Sequence, residues 1–404
     1  HLLLFVLLGL AWLEAFHLRR AVPAVRRDVP ARLLLGEENR VVLELQNDGN
    51  HPMRGVLRDG VPSGCSATPA ELGFALPARG RATLTYVLRA PRRGLYELGD
   101  VHLRLEGRWG LGAALVTLPA RAEVRVYPSL RGLRRYELAA RLGALHSVGV
   151  RTAHHKGSGG EIEALREYVP GDAFRELDWK ASAKRLRPIT RVRGQEQSQT
   201  IVLALDAGRI MGTRLGELTK LDHAIHAALL VTWVALRAGD KVGLLVFAER
   251  VQTFVPPGRG QAQYRRVLDA LVALEASPTY VDFRLLTEAL RTYVPKRALV
   301  LLFSDLLDES QALPLSAEAK HLRGKHLPVC VTMSDPLADG LARMRVKSAD
   351  DVYLRAAATD LLADREAVKV HLQKAGVGLV EATAGELAVA TVNRYLEIRA
   401  RHTL

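Results

Sequence analysis

Apolar and polar positions follow two different patterns along the chain. Between residues 28 and 128 they alternate at period two, as in Arg40–Gln46 and Arg81–Arg89. Turn-forming segments such as Asn47–Asn50 and Pro91–Gly94 separate these runs. Alternation of this kind is typical of short strands that bury one face. It predicts an Ig-like β-sandwich over 28–128, without the paired cysteines of an antibody domain.

From residue 199 onward, continuous apolar runs alternate with stretches of helical period. The strand candidates are Gln199–Leu205, Lys241–Phe247, Ala298–Phe303, Pro328–Thr332 and Gly378–Val380. The helix candidates are Leu221–Leu236, Tyr264–Leu274, Phe283–Tyr293, Ala367–Ala375 and Leu387–Arg399. Apolar strands that alternate with helices indicate a parallel sheet covered on both faces. We therefore predict a doubly wound, Rossmann-type α/β domain over 199–404, joined to the sandwich by a connector over 129–198.

The N-terminal residues form an uncharged apolar run, Leu2–Leu13, which Glu14 interrupts. The run is shorter than the roughly 20 residues that a membrane span needs. We interpret 1–18 as the second part of a transmembrane helix whose first part precedes His1. Basic residues favour the cytoplasmic side of a membrane. Because Arg19 and Arg20 follow the run, we expect the soluble domains to face the cytoplasm at the inner membrane, with lipid contact through the N-terminus.

The net charge and the cysteine content limit which partners and which kinds of cross-link the chain can have. The 404 residues carry a formal net charge of +14, which suits nucleic acid, anionic lipid or an acidic protein as partner. The basic residues are interspersed with acids, and no zinc-finger or aromatic-basic RNA-binding pattern occurs, so we do not expect nucleic-acid binding. The only cysteines, Cys65 and Cys330, fall in different predicted domains, which argues against a disulfide framework.

Two acids directly follow predicted strands of the α/β domain, Asp206 after the first and Asp305 after the third. Ligands of open α/β sheets bind at the carboxyl ends of strands. Two carboxylates that converge there offer oxygen ligands to a hard cation such as Mg²⁺. The alternative is that each aspartate caps the helix or loop that follows it.

A segment of mixed character, Leu165–Trp179, precedes the α/β domain and continues into Lys180–Arg185. It interleaves acids and bases with aromatic residues and a Pro-Gly turn. Its notable residues are Arg166, Tyr168, Gly171, Asp172, Arg175, Asp178, Trp179 and Lys180. We interpret the segment as a structural cluster of ion pairs that latches the two domains together, and the alternative is a docking surface.

The residues from Gly159 to Arg185 resemble the signature of the bacterial "domain of unknown function 58" family, whose members carry a von Willebrand factor A-like (vWA-like) domain. Further similarity lies in Arg92–Gly94, Trp109–Leu111 and the ending Asn393–Ile398. The resemblance therefore extends over nearly the whole chain and includes the apolar N-terminus. It implies a membrane-anchored vWA-like protein.

The loop after the first α/β strand resembles the first loop of a vWA metal-ion-dependent adhesion site. The family pattern there is Asp-x-Ser-x-Ser, whereas Gly208 and Ile210 stand in place of the two serines after Asp206. Val281 stands where the family has its threonine, next to Asp282. The resemblance thus implies a degenerate site at Asp206 and Asp305 that binds Mg²⁺ weakly or not at all, and no other cofactor.

The resemblance also implies a function as partner of a MoxR-type AAA+ ATPase in the maturation of protein complexes or the envelope. We expect the contact at the strand-end loops, through Arg209, Asp282 and Asp305. No Ser-His or Cys-His pairing and no Walker loop is evident, so we assign no catalytic residue and expect a non-enzymatic adaptor. Two alternatives stay open. One is an adhesion-type module that binds its ligand through metal, and the other is a metal-dependent hydrolase using Asp172, Asp178 and Asp206 in one cleft.

Overall fold

The computed structural model describes residues 2–20, 22–30, 32–128, 162–169, 177–193, 198–216, 218–306 and 309–401. The chain forms two compact units, His1–Gly132 and Leu133–Leu404. Residues 129–161, 170–176 and 194–197 of the predicted connector lie outside the described residues.

The first unit consists of one helix followed by short strands. The helix α1 spans Leu2–Arg20. The strands are β1 (Ala24–Asp28), β2 (Leu33–Leu34), β3 (Asn39–Gln46), β4 (Met53–Arg58), β5 (Ser66–Thr68), β6 (Leu72–Leu76), β7 (Arg81–Arg89), β8 (Gly94–Leu98), β9 (Val101–Glu106), β10 (Ala113–Leu118) and β11 (Ala122–Tyr127). They form three sheets with the orders β1-β3-β7-β5, β10-β9-β4-β6 and β2-β11-β8. Buried and exposed positions alternate along β3, β4 and β9, so each of these strands buries one face, as the period-two pattern requires.

Helix α1 packs against β10, and Glu14 anchors it there. The Glu14 carboxylate accepts hydrogen bonds from the backbone N–H groups of Trp109 at 2.7 Å, Leu111 at 3.1 Å and Gly112 at 2.9 Å. The bond from Trp109 is the main reason why the pKa of Glu14 lies below its usual range. Among the described residues, no helix is long and apolar enough to cross a bilayer. The predicted transmembrane segment over 1–18 is therefore wrong. Residues 2–18 belong to helix α1, whose Glu14 carboxylate binds the loop between β9 and β10.

The second unit begins with a hairpin and continues as an α/β domain. The hairpin pairs β12 (Ile162–Glu167) with β13 (Ile189–Arg193), and the short helix α2 (Trp179–Arg185) lies between them in sequence. The remaining strands are β14 (Thr200–Asp206), β15 (Arg214–Leu215), β16 (Leu218–Thr219), β17 (Lys241–Phe247), β18 (Val251–Gly258), β19 (Leu299–Phe303), β20 (Leu327–Met333) and β21 (Gly378–Ala382). The remaining helices are α3 (Lys220–Arg237), α4 (Gly260–Val272), α5 (Arg284–Tyr293), α6 (Glu309–Arg323), α7 (Pro336–Ala342), α8 (Ala349–Lys374) and α9 (Leu387–Ala400).

The main sheet has the strand order β18-β17-β14-β19-β20-β21. All neighbours pair in parallel except β18, which is antiparallel to β17 at one edge. This order is that of a doubly wound α/β fold, in agreement with the predicted domain. The order reverses between β14 and β19, so the carboxyl ends of these two strands form the switch point where such folds place a ligand.

The buried acid Asp240, which precedes β17, ties the last helix to the sheet. Its carboxylate accepts hydrogen bonds from the Tyr395 hydroxyl at 2.6 Å, from Nε of Arg399 at 3.1 Å and from the backbone N–H of Gln199 at 3.0 Å. Because Asp240 is fully buried, each of these donors compensates part of its lost hydration. Tyr395 lies in the segment Asn393–Ile398 that resembles the family ending, and its role here is structural.

Candidate functional site

Asp206 is the last residue of β14, and its side chain is 3% exposed. Its Oδ1 accepts the backbone N–H of Gly208 at 2.7 Å, and its Oδ2 accepts the hydroxyl of Ser304 at 2.6 Å. Burial raises the pKa of Asp206 to about 6, although both hydrogen bonds act in the opposite direction. Because Ser304, which donates to Asp206, directly precedes Asp305, the two acids of the predicted pair lie close together, and the charge of Asp305 raises the pKa of Asp206 further.

Asp305 follows β19 and is 1% exposed. Two buried cations pair with it. Nη2 of Arg365 donates to Oδ1 at 2.8 Å and to Oδ2 at 3.0 Å, and the ammonium of Lys220 donates to Oδ2. The hydroxyl of Thr332 donates to Oδ1 at 3.0 Å. Both oxygens of Asp305 are therefore bound by donors of the protein itself.

Three elements bring these donors to the switch point. Lys220 is the first residue of α3, whose start is fixed by a capping box between Thr219 and Asp222. Thr332 lies on β20, and Arg365 lies on the buried side of α8. The second nitrogen of Arg365, Nη1, donates to the backbone oxygen of Met333 at 2.9 Å, which fixes the guanidinium.

This donor set does not fit a hard divalent cation. A metal ion would have to share Asp305 with two positive charges that already neutralise it, and cations repel one another strongly in a buried site. Among the described residues, no group of three or more His, Cys, Asp or Glu side chains is placed to hold a metal. The expectation of weak or absent Mg²⁺ binding stays a prediction, and Lys220 and Arg365 give it a physical basis beyond the missing serines.

The loop after Asp206 is closely packed at Gly208. A Cβ at this position would lie 3.0 Å from Oδ1 of Asp206, 3.3 Å from the backbone oxygen of Thr279 and 3.3 Å from the backbone nitrogen of Val281. A serine here would therefore force its neighbours to move. The Thr279 hydroxyl contacts the Ser277 hydroxyl at 2.7 Å.

The exposed rim of the site carries the other predicted residues. The guanidinium of Arg209 lies 4.6 Å from the centroid of the Tyr280 ring, and its Nη2 donates to the Tyr280 hydroxyl at 2.6 Å. Asp282 pairs with Arg284 through contacts of 2.9 Å and 3.1 Å, and these bonds lower the pKa of Asp282. Tyr280 thus orients Arg209, and Arg284 orients Asp282.

The signature residues are only partly described. Arg166 lies in β12, and Tyr168 follows this strand, whereas Gly171, Asp172 and Arg175 lie outside the described residues. Trp179 and Lys180 open helix α2. Asp178 is the N-cap of α2. Its Oδ1 accepts the backbone N–H of Ala181 at 3.0 Å, and its own N–H donates to the Ile189 oxygen at 2.8 Å. The hydrolase alternative needs Asp172 beside Asp178 and Asp206, and Asp172 lies outside the described residues.

Sequence reasoning missed Lys220, Arg365 and Thr332, and it noted Ser304 beside Asp305 without assigning it a role. One signal was available for Lys220, because a cation in the first turn of a helix opposes the helix dipole. A lysine that nevertheless opens a largely buried helix implies an acidic partner at that helix end. Arg365 carries no comparable signal, because an arginine in a long, largely exposed helix is usually solvated.

The strand order and the two buried acids at the ends of β14 and β19 define a vWA-like domain. Residues 164–369, just over half of the chain, match the family described as "Protein of unknown function DUF58". The chain belongs to this family, as the resemblance of its signature predicted.

Comparison with individual proteins gives more distant matches. The "Uncharacterized protein Mb1516" of Mycobacterium bovis is 28% identical over 212 residues, which are 50% of this chain and 64% of that protein. The chain thus spans less than two thirds of the length of the curated relatives it matches. An aerotolerance-related membrane protein from Bacteroides fragilis covers 50% of this chain and 99% of its own, with 16% identity and a TM-score of 0.34. BatB from Bacteroides thetaiotaomicron has the same coverage, 13% identity and a TM-score of 0.33.

Proposed function

We propose that this protein is a non-enzymatic adaptor that binds a MoxR-type AAA+ ATPase through the rim around Arg209, in the maturation of protein complexes or the envelope. The observation that carries the proposal is the internal neutralisation of Asp305 by Lys220 and Arg365. In a metal-dependent adhesion module, the cation completes its coordination with a ligand group. Here protein side chains supply the positive charge, so the switch point offers a preformed surface and no open coordination position.

The rim has the chemistry of a protein-binding surface. Arg209 is exposed, and Tyr280 is 63% exposed. Stacking and the hydrogen bond hold the guanidinium in one orientation, so less conformational entropy is lost when a partner binds. Arginine and tyrosine are enriched among residues that dominate interface energies. The remaining guanidinium donors of Arg209 suit a carboxylate of the partner. The net charge of +14 favours such an acidic partner as well.

The proposal extends to a lipid surface for the first unit. Helix α1 exposes Phe5 at 73% and Trp12 at 67% of their surfaces, and the neighbouring β10 exposes Leu115 at 79%. Side chains of this kind favour the interface of a bilayer, where tryptophan is enriched. Contact with the inner membrane, with both units on the cytoplasmic side, would place the adaptor where ATP is available. Co-sedimentation with anionic vesicles tests this contact, and Trp12→Ser should reduce it.

The decisive experiment measures binding of the full chain to a MoxR-type ATPase by interferometry. Arg209→Glu should weaken binding by at least about tenfold, because a buried charge contact is worth more than 1.4 kcal/mol. Arg209→Lys keeps the charge but loses the ring stacking and the forked donors. Its affinity should therefore lie between those of the wild type and Arg209→Glu. Arg355→Glu on α8 is the matched control, because Arg355 is exposed but lies outside the strand-end loops.

Unchanged affinity in Arg209→Glu, with the fold intact by circular dichroism, would contradict the proposed interface. The Arg92–Arg93 edge of the first unit, where Arg92 is exposed and Arg93 is half-buried, would then be the next surface to test.

A further inference from the structure

Helix α2 and the segments that flank it between β12 and β13 form an open apolar groove, separate from the rim around Arg209. The groove has a volume of about 450 Å³ and is lined mainly by Tyr168, Leu177, Trp179, Leu186 and Pro188. This volume lies within the range of sites that bind small ligands or single anchor residues. Trp179 at its edge is 65% exposed.

Leu186 adopts a backbone conformation that leucine disfavours, and it also exposes its apolar side chain to solvent. It is the C-cap of α2, with φ 53° and ψ 27°, a left-handed conformation that glycine and asparagine adopt at helix ends. Leucine in this conformation is strained, since its Cβ crowds the backbone. Its side chain is also 91% exposed, so burial within the described structure does not offset the strain. A residue that breaks two local rules at once indicates a role outside folding.

The groove has a basic border. Lys180, Lys184 and Arg185 are exposed on α2, whereas Arg187 is paired with Glu167 at 2.8 Å. Asp178, which precedes α2, is buried and caps its N-terminus. An apolar groove beside these cations is complementary to a segment that combines an apolar side chain with carboxylates.

We propose that this groove binds an acidic peptide segment of a partner protein, with one large apolar side chain of that segment inserted between Trp179 and Leu186. The volume between Trp179 and Leu186 suits one inserted anchor side chain, which favours a peptide, and binding to anionic vesicles is the competing outcome. The exposed cations would raise the association rate, and the anchor would determine the lifetime of the complex. The site does not depend on the ATPase-binding proposal, since neither the rim nor the ATPase takes part.

The test uses fluorotryptophan-labelled full-length protein and fluorine NMR, with the resonance of residue 179 assigned from Trp179→Phe. The probe is a short glutamate-rich peptide with one central phenylalanine, and the matched peptide has serine in its place. The phenylalanine peptide should shift the Trp179 resonance saturably and bind at least about tenfold more tightly than the serine peptide. Added salt should weaken this binding.

Leu186→Asn is the decisive variant, because asparagine suits the left-handed conformation. Its melting temperature should equal or exceed that of the wild type, while peptide binding falls at least about tenfold. Leu186→Met keeps an apolar side chain and should retain binding. Lower stability of Leu186→Asn would overturn the proposal, since the side chain would then pack within its own chain. Equal binding of both peptides, or a shift with anionic vesicles but not with peptide, would overturn it too.

Discussion

Nη2 of Arg365 lies 2.8 Å from Oδ1 and 3.0 Å from Oδ2 of Asp305, and the Lys220 ammonium pairs with the same carboxylate. Asp206 lies close enough for the charge of Asp305 to raise its pKa. Two carboxylates and two cations thus balance one another at the switch point once Asp206 is ionised. A vWA site that holds a metal receives its positive charge from solution, whereas this one receives it from α3 and α8.

Substitutions in the buried cluster of Asp206, Asp305, Lys220 and Arg365 should lower the free energy of unfolding by different amounts. Asp305→Asn leaves two buried cations without their acid, so it should lower the free energy of unfolding by about 3–5 kcal/mol. Lys220→Met should cost less, because Arg365 still neutralises Asp305. Urea denaturation at neutral pH measures both. Asp282→Asn is the control, since its partly exposed pair with Arg284 should be worth less than about 1 kcal/mol. Equal losses for Asp305→Asn and Asp282→Asn would contradict the buried-cluster interpretation.

Asp206 should make stability depend on pH. Its pKa in the folded state is about 6, above the usual value of an aspartate, so the folded protein binds this proton more tightly than the unfolded chain does. The stability that the proton provides is complete below about pH 4 and is lost as the pH rises through 6. Asp206→Asn can keep both hydrogen bonds, to Gly208 and Ser304, without ionising. The variant should therefore gain on the order of 3 kcal/mol relative to the wild type between pH 4 and pH 7.

Denaturation curves across this pH range check the prediction. A constant stability difference between the wild type and Asp206→Asn would show that the Asp206 pKa is not raised on folding.

Hydrophobic periodicity predicted the α/β domain well, because its strands are buried on both faces. Lys241–Phe247 is predicted and observed with the same ends. The edge strand β18 was missed, since Pro256 and Pro257 argue against a strand interior and are tolerated only at an edge. Helix α8 is much longer than the predicted Ala367–Ala375, because its first half is exposed and its large apolar residues Val352, Tyr353 and Leu354 are consecutive, so they form no stripe along one face.

The sequence predicted the two aspartates of the candidate site but not the side chains that bind them. Asp206 and Asp305 follow apolar strands in sequence, so topology alone brings them together. Their partners come from elements that the sequence cannot align in space, since 60 residues separate Asp305 from Arg365.

The N-terminal prediction failed for a different reason. Composition indicates a membrane segment, but it does not show that Glu14 binds backbone amides of the β9–β10 loop.

Metal binding should be weak or absent. Gly208 and Ile210 provide no side-chain oxygen, and Asp305 is already bound by Lys220, Arg365 and Thr332. Calorimetric titration with Mg²⁺ should give no saturable heat at concentrations up to the millimolar range. A dissociation constant in the low micromolar range that Asp206→Ala abolishes would contradict this prediction and revive the adhesion-type alternative.

The signature aspartate Asp178 should act as a helix cap and not as one half of an interdomain latch. Its Oδ1 accepts the backbone N–H of Ala181, which an asparagine oxygen can do equally well. We expect Asp178→Ala to lower the free energy of unfolding by about 1 kcal/mol and Asp178→Asn to lower it by less. A latch built on a buried ion pair would respond differently, because both variants would then lose about 3–5 kcal/mol. Chemical denaturation of the two variants in parallel distinguishes these outcomes. A helix cap needs a side-chain oxygen but no charge, so asparagine can replace the aspartate, whereas an ion pair needs the charge.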